Sequence, residues 1–241
     1  MVTIDGIGCS RHPVLDKAMQ MRRSGPGLRR TCNLSRINRR RIPAFQRAAA
    51  RGDPLDIDVG CYFADFTHEY AAKTGRRIIG VDGSPWAQQI FEEGVPVGDE
   101  VWEWIYTGSA VLRDHACLYS FFPRVLLAPA RLEDFMQDAR FLPFRGKVSR
   151  VVLNMPEGTD GYLEAVGELF FNWTRPDGEL YIRTETPDKI PLILSRAQGR
   201  PFREIPFCPE VRGINSMYVW QLDLMREVDR APICSFAFAR S

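Results

Sequence analysis

LDIDVGCYFADFTHEYAAKTGRRIIGVDGS, residues 55–84, decides the fold. LDIDVG reads as a short apolar strand that ends on a glycine. DFTHEYAAKTG follows with helical spacing: Phe66, Tyr70 and Ala71 fall on one face, and Gly75 supplies the stop. RRIIGVDGS is a second strand. SPWAQQIFEEG then predicts another helix, with Ser84 as its N-cap and Pro85 in the first turn. Strand, helix, strand and helix in close succession are the signature of a parallel βαβ unit.

The same alternation continues toward the C-terminus. RVLLAPARLEDF (124–135) gives a third strand and then a turn or helix, and KVSRVVLNMPEG (147–158) gives a β-branched strand that stops at Asn-Met-Pro. GYLEAVGELFFNWT (161–174) is an amphipathic helix, and RPDGELYIRTE (175–185) is a glycine-containing turn followed by a strand. A helix is expected at 187–198, strands near 202–207 and 215–223, and an edge strand in APICSFAFARS (231–241). Toward the N-terminus, LSRINRRRIPAFQRAAAR (34–51) has helical composition interrupted by Pro43, which should start a new helix over 43–51. Residues 1–30 read as loop with one short helix near 13–22. The expected fold is α/β: one doubly wound, Rossmann-like sheet over 54–241, mostly parallel with an antiparallel strand near the C-terminus. An aromatic insertion near 95–122 and a basic, partly helical N-terminal extension over 1–53 complete it.

Composition narrows the possibilities. No run of about 18 apolar residues is present, and the N-terminus lacks a basic segment followed by a long apolar stretch, so no membrane span or signal peptide is expected and the location should be cytoplasmic. The six cysteines are widely spaced with no CxxC, which fits reduced thiols, and three scattered histidines make no metal site. Residues 1–52 hold 12 of the 32 Lys/Arg but only two of the 30 Asp/Glu, so this segment carries about +10 and the rest of the chain about −8. An arm of that charge suits an anionic partner such as RNA, or lies on the acidic body. Oligomeric state is not encoded in any of these features.

In a doubly wound sheet, ligands bind outside the carboxyl ends of the strands. Here those ends are 58–64, 82–84, 128–134, 154–158 and 184–186, and the polar and special residues collect there. On these segments, over roughly residues 54–223, the chain resembles the class I S-adenosylmethionine-dependent methyltransferases. Their first motif is an acidic residue, then Gly-x-Gly-x-Gly, then a helix. DVGCYFADF keeps Asp58 and Gly60 but has Tyr62 and Ala64 at the later glycine positions. The resemblance implies that amides and small residues of this loop face the methionine part of S-adenosyl-L-methionine. Tyr62 either turns away and leaves that space open or fills it. Asp82, 24 residues after Asp58 and followed by Gly83, matches the carboxylate that accepts the ribose hydroxyls; the alternative is a helix cap. In the third-strand turn Pro129 stands where an acidic adenine contact is expected, leaving Glu133 or Asp134, with Arg131, as cofactor candidates.

LNMPEG resembles the motif that faces the methyl acceptor: Asn154 would place a carbonyl near a nucleophilic nitrogen, and Glu157 or Glu185 would take its proton. Within the superfamily, VSRVVLNMPEG and RPDGELYIRTE look most like the tRNA guanine-N7 methyltransferases, with Thr184 and Glu185 at matching places. The Pro-Trp and basic-His stretch of that family is replaced by GTDGYLEA, and its late Thr-x-Tyr-Glu signature is missing. The resemblance therefore implies a relative with another acceptor, a small heterocycle, with Trp102 and Tyr106 of the aromatic insertion as stacking residues or as core. RNA methylation through the basic arm, and a non-catalytic protein on the same scaffold, are the alternatives.

Overall fold

A computed structural model describes residues 34–61, 64–83, 123–154, 159–212, 214 and 234–241. The expected helices at 13–22 and 84–94, the aromatic segment 95–122 and the strand near 215–223 lie outside the described residues. The described residues begin with α1 (Leu34–Ala50) and continue through β1 (Leu55–Val59), α2 (Asp65–Thr74), β2 (Arg77–Val81), β3 (Val125–Ala128), α3 (Leu132–Gln137) and β4 (Val148–Asn154). They then form α4 (Asp160–Trp173), β5 (Thr174–Thr184), α5 (Ile190–Leu194), β6 (Phe202–Glu204), α6 (Pro209–Arg212) and β7 (Cys234–Arg240).

These strands make one seven-stranded sheet in the order β3-β2-β1-β4-β5-β7-β6. The first five are parallel, and β7 runs antiparallel to both β5 and β6. This is the doubly wound, Rossmann-like arrangement that the methyltransferase resemblance implies. From β1 the chain winds outward to β3, then returns to place β4 on the other side of β1. The strand order therefore reverses between β1 and β4, which opens a crevice at their carboxyl ends.

Strand alternation divides the core into two layers. Leu55, Ile57 and Val59 of β1, with Val151 and Leu153 of β4, pack under Phe45 of α1, Phe135 of α3 and Phe170 of α4. On the opposite face Ile78, Leu127, Val152 and Tyr181 pack against Phe66 and Tyr70 of α2 and against Val211. Polar groups on this second face are satisfied in a row across the sheet. Asp56, Arg150 and Glu179 are in register. Asp56 accepts from Arg76 Nη2 at 2.7 Å and Tyr70 Oη at 2.8 Å, and Glu179 accepts from Arg150 Nε at 2.8 Å and Tyr181 Oη at 2.9 Å.

Three expectations need correction. Pro43 does not start a helix; it sits inside α1, which runs unbroken over 17 residues. Pro43 is exposed while Ile42 and Phe45 are buried, so the carbonyl freed by the proline faces water and packing carries the helix through. The Arg-Pro-Asp-Gly stretch is not a separate turn but the start of β5, which carries a bulge: Val148 pairs with Thr174, whereas Arg150 pairs with Glu179. A Cβ on Gly178 would lie 2.4 Å from Thr174 Cβ, so the bulge needs glycine there. Finally, β7 is not an edge strand, because β6 pairs with its outer side.

Candidate active site

The loop after β1 bends back over the end of β2. The amides of Gly60 and Cys61 both donate to Val81 O, at 2.9 and 3.2 Å, and the Ala64 amide donates to Cys61 O at 2.6 Å. Gly60 takes a φ of 68°, and Ala64 takes the left-handed conformation at φ 57° and ψ 24°. His68 locks this turn. Its backbone N–H reaches Ala64 O at 3.0 Å and its ring Nδ1–H reaches the same oxygen at 2.6 Å. Burial pushes the His68 imidazole down to about 4; nearby Arg41 lowers it further and the Ala64 carbonyl opposes the shift.

Asp58 is buried in β1, and its carboxylate accepts from Thr67 Oγ1 at 2.6 Å, which ties the first turn of α2 to the strand. Asp82 stands at the end of β2, 8% exposed, with its amide donating to Ala128 O at 3.2 Å. A Cβ on the neighbouring Gly83 would lie 2.6 Å from Arg131 Cα, so glycine lets the β2 loop touch the backbone of the β3 loop. Arg131 is the exposed N-cap residue of α3, and Glu133 and Asp134 occupy the first turn, where acidic groups complement the helix dipole.

Asn154 closes β4 on the other side of the crevice. Its amide Nδ2 and Oδ1 are both buried and have no hydrogen-bond partner among the described residues. Its partner in β5 is Arg183, whose buried guanidinium donates to Ile214 O at 2.7 Å and also to Val211 O. Thr184 turns its hydroxyl into a local turn, accepting from the Thr186 amide at 2.9 Å, and Glu185 is half-buried beside it. Tyr62, Trp102, Tyr106 and Glu157 lie outside the described residues.

Sequence reasoning overlooked Tyr162. It lies in the first turn of α4, where its amide donates to the N-cap Thr159 hydroxyl at 3.4 Å. Its hydroxyl reaches across the crevice to within 2.9 Å of where a Gly60 Cβ would stand. Burial first, then the charges of Asp82, Asp58, Cys61 and Glu133, raise its pKa, so the phenol keeps its proton and acts as a donor. The available signal was its place in a first turn entered from the carboxyl end of a strand. The site thus gathers Gly60, Asp58, Asp82, Glu133 and Tyr162 around one crevice, with Asn154 at the end of the adjoining strand β4. Among the described residues no group of His, Cys, Asp and Glu could hold a metal.

No protein-family model matches the sequence, and no curated protein matches it. Similar solved structures include the 16S rRNA methyltransferase KamB, at 13% identity and TM-score 0.48, over 83% of this chain and 93% of that one. The 16S rRNA (adenine(1408)-N(1))-methyltransferase from Catenulisporales acidiphilia is similar at 16% identity and TM-score 0.45, again over 83% and 93% of the two chains. An rRNA methylase from Streptococcus thermophilus is similar at 13% identity and TM-score 0.43, over 82% of this chain and 94% of that one. The likeness is loose and is one of chain path. Among the described residues, no helix is long and apolar enough to cross a membrane.

Proposed function

We propose that the chain is an S-adenosyl-L-methionine-dependent methyltransferase that methylates a nitrogen of a small heterocyclic acceptor. The observation that carries this reading is the buried, unpartnered amide of Asn154, at the end of the strand that flanks the switch point. A buried amide without partners costs about 1–3 kcal/mol, which a fold retains where a ligand completes the bonds. One acceptor and one donor on the same planar group match a heterocycle edge that offers an N–H beside a ring acceptor.

The residues fit the cofactor. Asp82 has the chemistry to hold ribose hydroxyls, Glu133 and Arg131 stand on the adenine side next to β3, and Gly60 with Tyr162 lines the methionine side. When bound, S-adenosylmethionine supplies a methyl group already activated on a sulfonium. The chain's part is to align: Asn154 Oδ1 accepts from the acceptor nitrogen and directs its lone pair along the transfer line. The nitrogen carries the proton that it donates to Asn154, and Glu185 or Glu157 takes a proton from it as the methyl group is transferred. In this reading residues 54–241 form the catalytic domain and 1–53 a basic arm.

Calorimetry tests it. The wild-type protein should bind S-adenosylmethionine, and Asp82→Ala should weaken that binding by roughly 1–3 kcal/mol. No binding to the wild type sinks the enzyme reading, and unchanged affinity in the variant removes the ribose role.

Exposed Arg39, Arg40 and Arg47 on α1 favour a second reading, in which the acceptor base belongs to RNA. RNA binding would then weaken steeply with salt, whereas a small-molecule enzyme would show little dependence.

A further inference from the structure

Taking the S-adenosylmethionine reading as its basis, we propose that the Tyr162 hydroxyl holds the methionine carboxylate of the cofactor. The strand order sets the cofactor's direction. With the ribose on Asp82 at the end of β2, the base extends toward β3, and the methionine end extends toward β1 and the crevice beside β4. That end carries a sulfonium, an ammonium and a carboxylate. The surrounding charge suits the two cations, because Asp58, Asp82 and Glu133 all act on Tyr162. It opposes the carboxylate, which needs a donor.

The backbone does not supply one from the described part of the loop. The amides of Gly60 and Cys61 are both spent on Val81 O, and the amide of Ala64 is spent on Cys61 O. Arg183 is directed at the carbonyls of Val211 and Ile214, and Arg131 stands at the β3 loop against Gly83. Tyr162 is different. Its ring packs against the core, while its oxygen lies over Gly60 and takes up the space that a Cβ there would need. A phenol that stays protonated donates to a carboxylate without adding charge.

The test compares S-adenosylmethionine with its decarboxylated form, which keeps the sulfonium and the amine. Wild-type protein should bind the decarboxylated ligand about tenfold or more weakly, because a charge-assisted bond is lost. Tyr162→Phe keeps the ring and should bind S-adenosylmethionine weakly while binding the decarboxylated ligand as the wild type does. If the wild type binds the two ligands equally, or Tyr162→Phe weakens both alike or neither, the assignment is wrong. If the wild type binds neither, the cofactor reading itself falls.

Discussion

Ala64 carries its side chain in left-handed backbone, a conformation that costs a non-glycine residue about 1–2 kcal/mol. The cost is met locally by the two bonds from His68 to the Ala64 carbonyl. A methyl-bearing residue can therefore hold this left-handed position, which favours glycine. Asn154 shows the opposite economy, a local cost with no local compensation. On the proposed function, Asn154→Ala should lower the rate of methyl transfer while stabilising the fold by about 1 kcal/mol, because a buried amide without partners among the described residues is removed. Thermal unfolding would then rise by about 2–4 °C, and a fall in melting temperature would contradict it. At this scale sequence was a partial guide. The placing of Asp82 and Asn154 at strand ends was legible, because each closes an apolar, β-branched run. For Tyr162 the one signal was its place just after a strand end, and that does not single it out, since a tyrosine in an amphipathic helix has the same pattern whether it packs in the core or reaches over a loop.

Among the elements, α2 ties chemistry to stability through His68. An unfolded histidine takes up a proton near pH 6.5, whereas the folded one resists until about pH 4. The unfolded state thus binds more protons between these values, and stability falls as pH drops through that window. About 1.4 kcal/mol per pH unit over this interval gives a loss on the order of 3 kcal/mol. Denaturant titrations at pH 7 and pH 4 should show a smaller loss in His68→Gln than in the wild type; equal losses would contradict it. Elements with strong local signals were readable, as with α2, bounded by Gly75 in the left-handed region. The α1 helix was misread because a proline penalty of about 3 kcal/mol is a local quantity. The buried side of α1, Ile42, Phe45, Ala48 and Ala49, offsets it through contacts that sequence spacing does not price.

For the whole molecule, α1 is the cover of a sheet edge. Among the described strands β3 lies outermost, and its outward carbonyls are taken by α1: Asn38 Nδ2 donates to Leu127 O at 2.8 Å and Arg41 Nη1 to Val125 O at 2.7 Å. Edges left open invite pairing with other chains. If α1 and the sheet are one cooperative unit, Phe45→Ala should cost about 3–5 kcal/mol and shift a single denaturant transition without splitting it. Two separate transitions would show that the helix folds by itself. The strand alternation made the parallel half of the sheet readable, but side-chain pattern does not name a strand's neighbours. Hence β7 was expected at an edge.

The place of β7 has a consequence for how the protein is made. Residues 234–240 lie between β5 and the three-residue β6, both of which leave the ribosome earlier. Until they emerge, the antiparallel side of β5 has no partner and β6 has no sheet to join. The parallel half and its crevice can assemble during synthesis, whereas the antiparallel side of β5 is completed, and β6 gains a sheet to join, only once residues 234–240 have emerged.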